Sequence, residues 1–218
     1  MAEIITDAEL VNKFAQNAMK EPEPDIVTRA PSGNEVKLPG GFIEPNGEII
    51  TTAEVQELTG ADEEAIAKSG STGKALNVLL QRGLVRLGSR DVKKDDLDNL
   101  LSGDRDAILL AIRRITFGET ITLIAKCYSC SVEQEPVINL TDDVPVKELD
   151  DPVKDRVFEV TTKKGLARIS LPTGITQKRL MENNDKTSAE LNTLLLAGCL
   201  LTLDGRPSMG APTALSLG

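Results

Sequence analysis

The sequence predicts an α+β protein with a helical N-terminal half, central antiparallel β-hairpins that include a CxxC knuckle, and a C-terminal helix. Three observations carry that prediction. Helix-start signatures recur between residues 51 and 106, partly alternating β-branched residues fill 121–140 and 157–171, and an almost wholly apolar stretch follows Glu190. These signals divide the chain into an N-terminal helix and Pro/Gly-rich extended arm (1–50), a helical region (51–118), an antiparallel β region (119–171), and a C-terminal helical region and tail (172–218).

In chain order, Ile4, Ile5, Leu10, Val11, Phe14 and Met19 fall near helical spacing, with Asp7 and Glu9 early and Lys20 late, as the helix dipole favours. Glu21-Pro22-Glu23-Pro24 follows, and then five prolines or glycines between Pro39 and Gly47. Proline removes backbone donors and glycine costs chain entropy, so residues 21–47 are not expected to form regular structure alone. Val36, Leu38, Phe42 and Ile43 are spaced along this arm as anchors, to be ordered against the chain's own β region or against a neighbouring subunit.

Thr51-x-x-Glu54 reads as a capping box opening a helix that stops at Gly60. Asp62-Glu63-Glu64 starts a second helix, ending in the Ser/Gly/Thr cluster at 69–73, and residues 74–82 form a third with Leu76, Leu79 and Leu80 on one face. Leu84-Val85-Arg86-Leu87 then alternates like a strand. Asp104 and Asp106 read as caps of a helix whose apolar face is Ile108, Leu109, Ile112 and Ile115, closed by Gly118. Ile121–Ala125 enters the turn Cys127-Tyr128-Ser129-Cys130, and Val132–Leu140 returns, interrupted at Pro136. A second hairpin pairs Val157–Thr162 with Leu166–Leu171 around Lys163-Lys164-Gly165. Thr187-x-x-Glu190 caps a helix over Leu191–Leu201 that is apolar nearly all round and needs cover on more than one side. Leu195 and Leu196 on that helix, with Leu215 and Leu217 in the turn-rich tail, complete the partner-facing candidates.

Composition narrows the chemistry. There is no histidine, so the side chain most used for proton transfer near neutral pH is absent. A tetrahedral zinc site wants four soft ligands, and Cys127, Cys130 and Cys199 are the only thiols, so Cys127 and Cys130 make half a metal site and no zinc or other cofactor is expected. Thirty-four acidic against 25 basic residues, with 2% aromatics, argue against a nucleic-acid partner, whose affinity would come from a basic stripe and stacking rings. The Gly70-Ser71-Thr72-Gly73-Lys74 run fails as a phosphate loop, because Lys68 stands where the first glycine belongs and Ala75 follows the lysine. No apolar run approaches a membrane span, the start lacks a secretory leader, and three cysteines build no disulfide framework, all expected of a chain made in the cytoplasm. Three other readings stay open at this point: a degenerate zinc ribbon, a winged-helix nucleic-acid-associated protein drawn from the helix, helix, helix, strand order, and a CxxC redox protein.

The run Gly103-Asp104-Arg105-Asp106-Ala107-Ile108-Leu109-Leu110-Ala111-Ile112-Arg113, then Thr116-Phe117-Gly118-Glu119 and the strand into Cys127-x-x-Cys130, resembles the baseplate hub assembly chaperone family of contractile-tailed phages. Relatives of that family occur in phage-derived contractile injection systems. Leu171-Pro172-Thr173-Gly174 and Ala189-Glu190-Leu191-Asn192 extend the resemblance across about residues 50 to 203. It implies a non-enzymatic structural or assembly protein that binds other baseplate or hub proteins in a hetero-oligomeric assembly. Such a protein works in the host cytoplasm during assembly, and is either retained in the tail baseplate or injection particle or released from it. There are no catalytic residues to carry over. Two departures stand out. Relatives often carry proline and glycine around the cysteines where this chain has Tyr128, Ser129 and Ser131, and they run further past the region of Leu217, so a missing or divergent C-terminal helix is expected.

Overall fold

The computed structural model describes residues 34–215. The expected helix at 3–20 and the anchor Leu217 lie outside the described residues. The protein is mixed helix and antiparallel sheet, with two four-stranded sheets and helices packed on them. The first sheet comprises β1 (Glu35–Ile43), β2 (Ile49–Val55), β3 (Leu84–Leu87) and β4 (Arg90–Asp91), in that order and antiparallel throughout.

This sheet corrects two expectations. Part of the Pro/Gly-rich arm is the strand β1, with a register shift between Lys37 and Phe42 that accommodates Pro39, Gly40 and Gly41. Thr51 and Glu54 do not form a capping box, because they lie inside β2. Ala53 and Val55 are buried at a spacing of two, and pairing on both sides by β1 and β3 outweighs a four-residue cap signature. The N-terminal half is therefore not a helical block.

Between β2 and β3 run α1 (Gly60–Ala67) and α2 (Thr72–Gly83). The capping box of α1 belongs to Thr59 and Asp62: the Thr59 hydroxyl accepts from the Asp62 amide while the carboxylate accepts from Thr59 N–H at 3.0 Å. The short α3 (Asp96–Asn99) precedes α4 (Ser102–Phe117), which lies against β1 and β2. The core is built where these meet, from Leu38, Phe42, Val55, Leu80, Leu87, Leu100, Ile108 and Ile112, all nearly inaccessible. Full burial of each such side chain is worth roughly 1.5–3 kcal/mol. Aliphatic residues do most of this work, with Phe42 the one aromatic in the cluster.

After α4 the chain leaves the core. β5 (Thr120–Thr122) pairs with β8 (Val137–Asn139), and β6 (Ala125–Lys126) pairs with β7 (Glu133–Gln134), giving two short ladders in place of one continuous hairpin. Pro136 separates β7 from β8, and its carbonyl accepts from the Leu123 amide at 3.0 Å.

The second sheet has the order β12-β11-β10-β9, from β9 (Val157–Thr162), β10 (Gly165–Ser170), β11 (Leu200–Leu203) and β12 (Arg206–Pro207). The β9/β10 hairpin turns at Lys163-Lys164. Between β10 and β11 lie α5 (Gly174–Met181), which had no clear sequence signal, and α6 (Ser188–Cys199), and α7 (Ala211–Leu215) follows β12. The Thr187/Glu190 capping box opens α6, but the helix ends at Cys199, and Leu200 and Leu201 belong to β11.

Candidate partner-binding surfaces

The junction that holds the parts together is polar. Asp104 and Asp106 do not cap α4, since the helix start has no side-chain cap; Asp104 and its neighbour Arg105 are instead buried. Asp104 Oδ1 accepts from the Gly40 amide at 2.6 Å, tying α4 to the irregular part of β1. Arg105 donates to the Leu97 carbonyl at 2.6 Å, to Gln177 Oε1 at 2.7 Å and to Asn77 Oδ1 at 2.8 Å, joining α3, α5 and α2. Arg156 donates to the carbonyls of Gly40 and Gly41 from the other side. Burial pushes the Asp104 carboxyl up from its usual range, against the stabilising amide of Gly40 and the Arg156 charge. Burial likewise lowers Arg105 and Arg156. Asp104 Oδ2 is buried without a hydrogen-bond partner, but the other contacts tie β1, α2, α3, α4 and α5 to one another, which makes this a structural junction.

The surface is where apolar side chains stand uncovered. On the arm formed by β5–β8, Ile124 is 75% exposed, Val137 63% and Val132 56%, and Phe117 at its base is 58% exposed beneath the Arg113 guanidinium. Two-stranded ladders without a packed face are marginal in water, so apolar residues there gain little from the chain's own fold. At the tip, Cys127 and Cys130 are free, the first half-buried and the second exposed. Amides of Cys130 and Ser129, and then the Cys130 thiol, hold the Cys127 thiol below its ordinary value. Ser131 takes φ +57° to close the turn. Among the described residues no group of three or more His, Cys, Asp or Glu side chains is placed to hold a metal ion.

The other sequence-stated anchors fall in different places. Leu38 and Phe42 are buried in the chain's own core, while Val36 and Ile43 are partly buried, Val36 against the same core. Leu195 and Leu196 are half-buried on α6, against which α5 and α7 pack. Leu215 is 66% exposed at the end of α7. In sequence nothing marks Ile124, Val132 and Val137, or Phe158 and Val160 on β9, because alternating β-branched residues read as ordinary sheet; what exposes them is the lack of a covering layer among the described residues.

The family described as T4 bacteriophage base plate protein matches residues 43–201, from the last residue of β1 into β11. The chain belongs to that family. It is a bacteriophage baseplate protein, and the match takes in α4, the arm and α6, the segments on which the sequence resemblance rested. No curated protein and no solved structure matches it. Among the described residues of this baseplate protein no helix is long and apolar enough to cross a membrane.

Proposed function

We propose that this baseplate protein is a non-enzymatic structural or assembly component of the tail hub that binds other baseplate or hub proteins through exposed apolar surface, chiefly the β5–β8 arm. The observation that carries the reading is the family match across 43–201, which includes the whole arm. Support comes from the arm's chemistry: isolated ladders carry Ile124, Val132 and Val137 into solvent, an arrangement that profits from a partner and adds little to the chain alone. Its partners are proteins of a hetero-oligomeric particle, neither membrane nor nucleic acid, and a net charge of −9 fits that choice. It acts in the host cytoplasm during assembly and associates with the virion tail.

Deletion of the gene from its phage, with the wild-type copy supplied in trans, tests this reading. Electron microscopy should find tails with complete baseplates only when the copy is present; complete baseplates without it would overturn the reading. Quantitative mass spectrometry of assembly intermediates against finished particles separates a retained component from a departing chaperone.

A further inference from the structure

The two four-stranded sheets have four edges, and three are blunted against pairing. β1 carries Lys37, Pro39 and a register shift; β4 is two residues long; and β12 is two residues long and ends in Pro207. The fourth edge, β9, has none of these devices. Its six residues, Val-Phe-Glu-Val-Thr-Thr, contain neither proline nor lysine, and Phe158, Glu159, Val160 and Thr161 are all exposed.

The direction of its backbone groups follows from the ladder. The Leu171 amide donates to the Arg156 carbonyl at 2.8 Å, and the Leu166 carbonyl accepts from Asp204 on the far side of β10. With the register Thr162↔Gly165 through Val157↔Ser170, Phe158, Val160 and Thr162 turn their backbone groups toward β10. Glu159 and Thr161 therefore turn theirs outward, where the sheet has no further strand among the described residues. Phe158 and Val160 share the face that carries the buried Ala167, and at 44% and 39% exposure they form the uncovered rim of that face. An added strand would meet outward amides and carbonyls along its backbone and Phe158 and Val160 beside alternate side chains.

Resting on the baseplate reading above, we propose that β9 is a docking edge for an extended segment of a second, different baseplate protein. That segment carries apolar side chains at alternate positions beside Phe158 and Val160, and a basic or hydroxyl side chain opposite Glu159. Glu159 is the strand's one charge; Arg168 at 3.7 Å offsets it only in part, since both side chains are exposed, so a basic or neutral neighbour is favoured over an acidic one. A second copy of this chain is the poorer occupant, since each copy brings a net charge of −9.

Hydrogen exchange on the full chain, free and within purified baseplate assembly complexes, tests the proposal. The Glu159 and Thr161 amides should exchange quickly in the free chain and slow by about tenfold or more in the complex. Thr161→Pro, which removes an outward donor and no bond to β10, should leave the melting temperature of the free chain nearly unchanged and prevent its incorporation, whereas Thr161→Ala should incorporate normally. Val160→Lys, which gives this edge a blunting charge, should act like the proline. Wild-type chain present in the complexes with both amides still exposed would overturn the docking edge and leave the baseplate reading standing. Amides protected in the free chain, with sedimentation as a dimer, would overturn the choice of a different partner. Wild-type chain absent from every baseplate complex would overturn both readings.

Discussion

Asp104 is the residue on which the fold's least regular segment depends. The turn of β1 through Pro39, Gly40 and Gly41 leaves a buried amide at Gly40, and a carboxylate from α4, 64 residues away, satisfies it. A carbon added at Gly40 would stand 2.4 Å from Leu101 and 3.0 Å from Asp104 Oδ2, so glycine is needed there for close approach. Asp104→Ala should destabilise the protein by about 1–3 kcal/mol, because it strands a buried donor, while Asp104→Asn keeps an acceptor and should cost less. Since burial raises the Asp104 pKa above its ordinary value of 3.8, the folded state holds its proton more tightly than the unfolded chain. Its contribution is then full below 3.8 and is lost as pH rises through the folded value. Urea melts across pH 4 to 8 should show that slope in the wild type and a flatter one in Asp104→Asn; an identical slope would remove Asp104 as its source.

At the level of elements, helix contacts depend on a few close approaches. Gly83 ends α2 against Ile112 of α4, and a carbon added there would lie 2.3 Å from Ile112 Cδ1 in the fully packed core. Gly83→Ala should therefore destabilise by about 1–3 kcal/mol through overpacking, despite alanine's better helix propensity. Thermal unfolding with Gly83→Ala, alone and combined with Ile112→Val, measures this: partial recovery in the double variant is expected, and additive losses would point to a backbone cause instead. The Thr187/Glu190 cap was legible in sequence because its partners are three residues apart and both exposed. The end of α6 was not, since nothing local separates Cys199 from Leu200; pairing of β11 with β10 converts Leu200 and Leu201 to strand.

Across the whole molecule, interior and arm differ in what their apolar residues do. Ile108 and Ile124 are chemically the same, yet one is fully buried and the other 75% exposed. Ile124→Asp with Val137→Asp should leave urea stability within about 0.5 kcal/mol of wild type, and Ile108→Asp should unfold the chain. The arm variant should then fail to restore complete baseplates in trans. Normal baseplates from a folded arm variant would move the interface elsewhere on the surface.

By itself the sequence determined that the chain is mixed α and β and where α4 and the β9/β10 hairpin lie, because these rest on short-range periodicity and turn residues, and its quoted motifs carried the resemblance to baseplate proteins. Only the tertiary structure decided that Thr51 and Glu54 are strand, that Leu38 and Phe42 are core, that Asp104 is a buried tie rather than a cap with Arg105 buried beside it, and that no other described residues cover the arm and the β9 edge. Those outcomes depend on which distant element comes to lie against each segment, and a side chain's chemistry is the same whether that neighbour is a sheet, a helix or water.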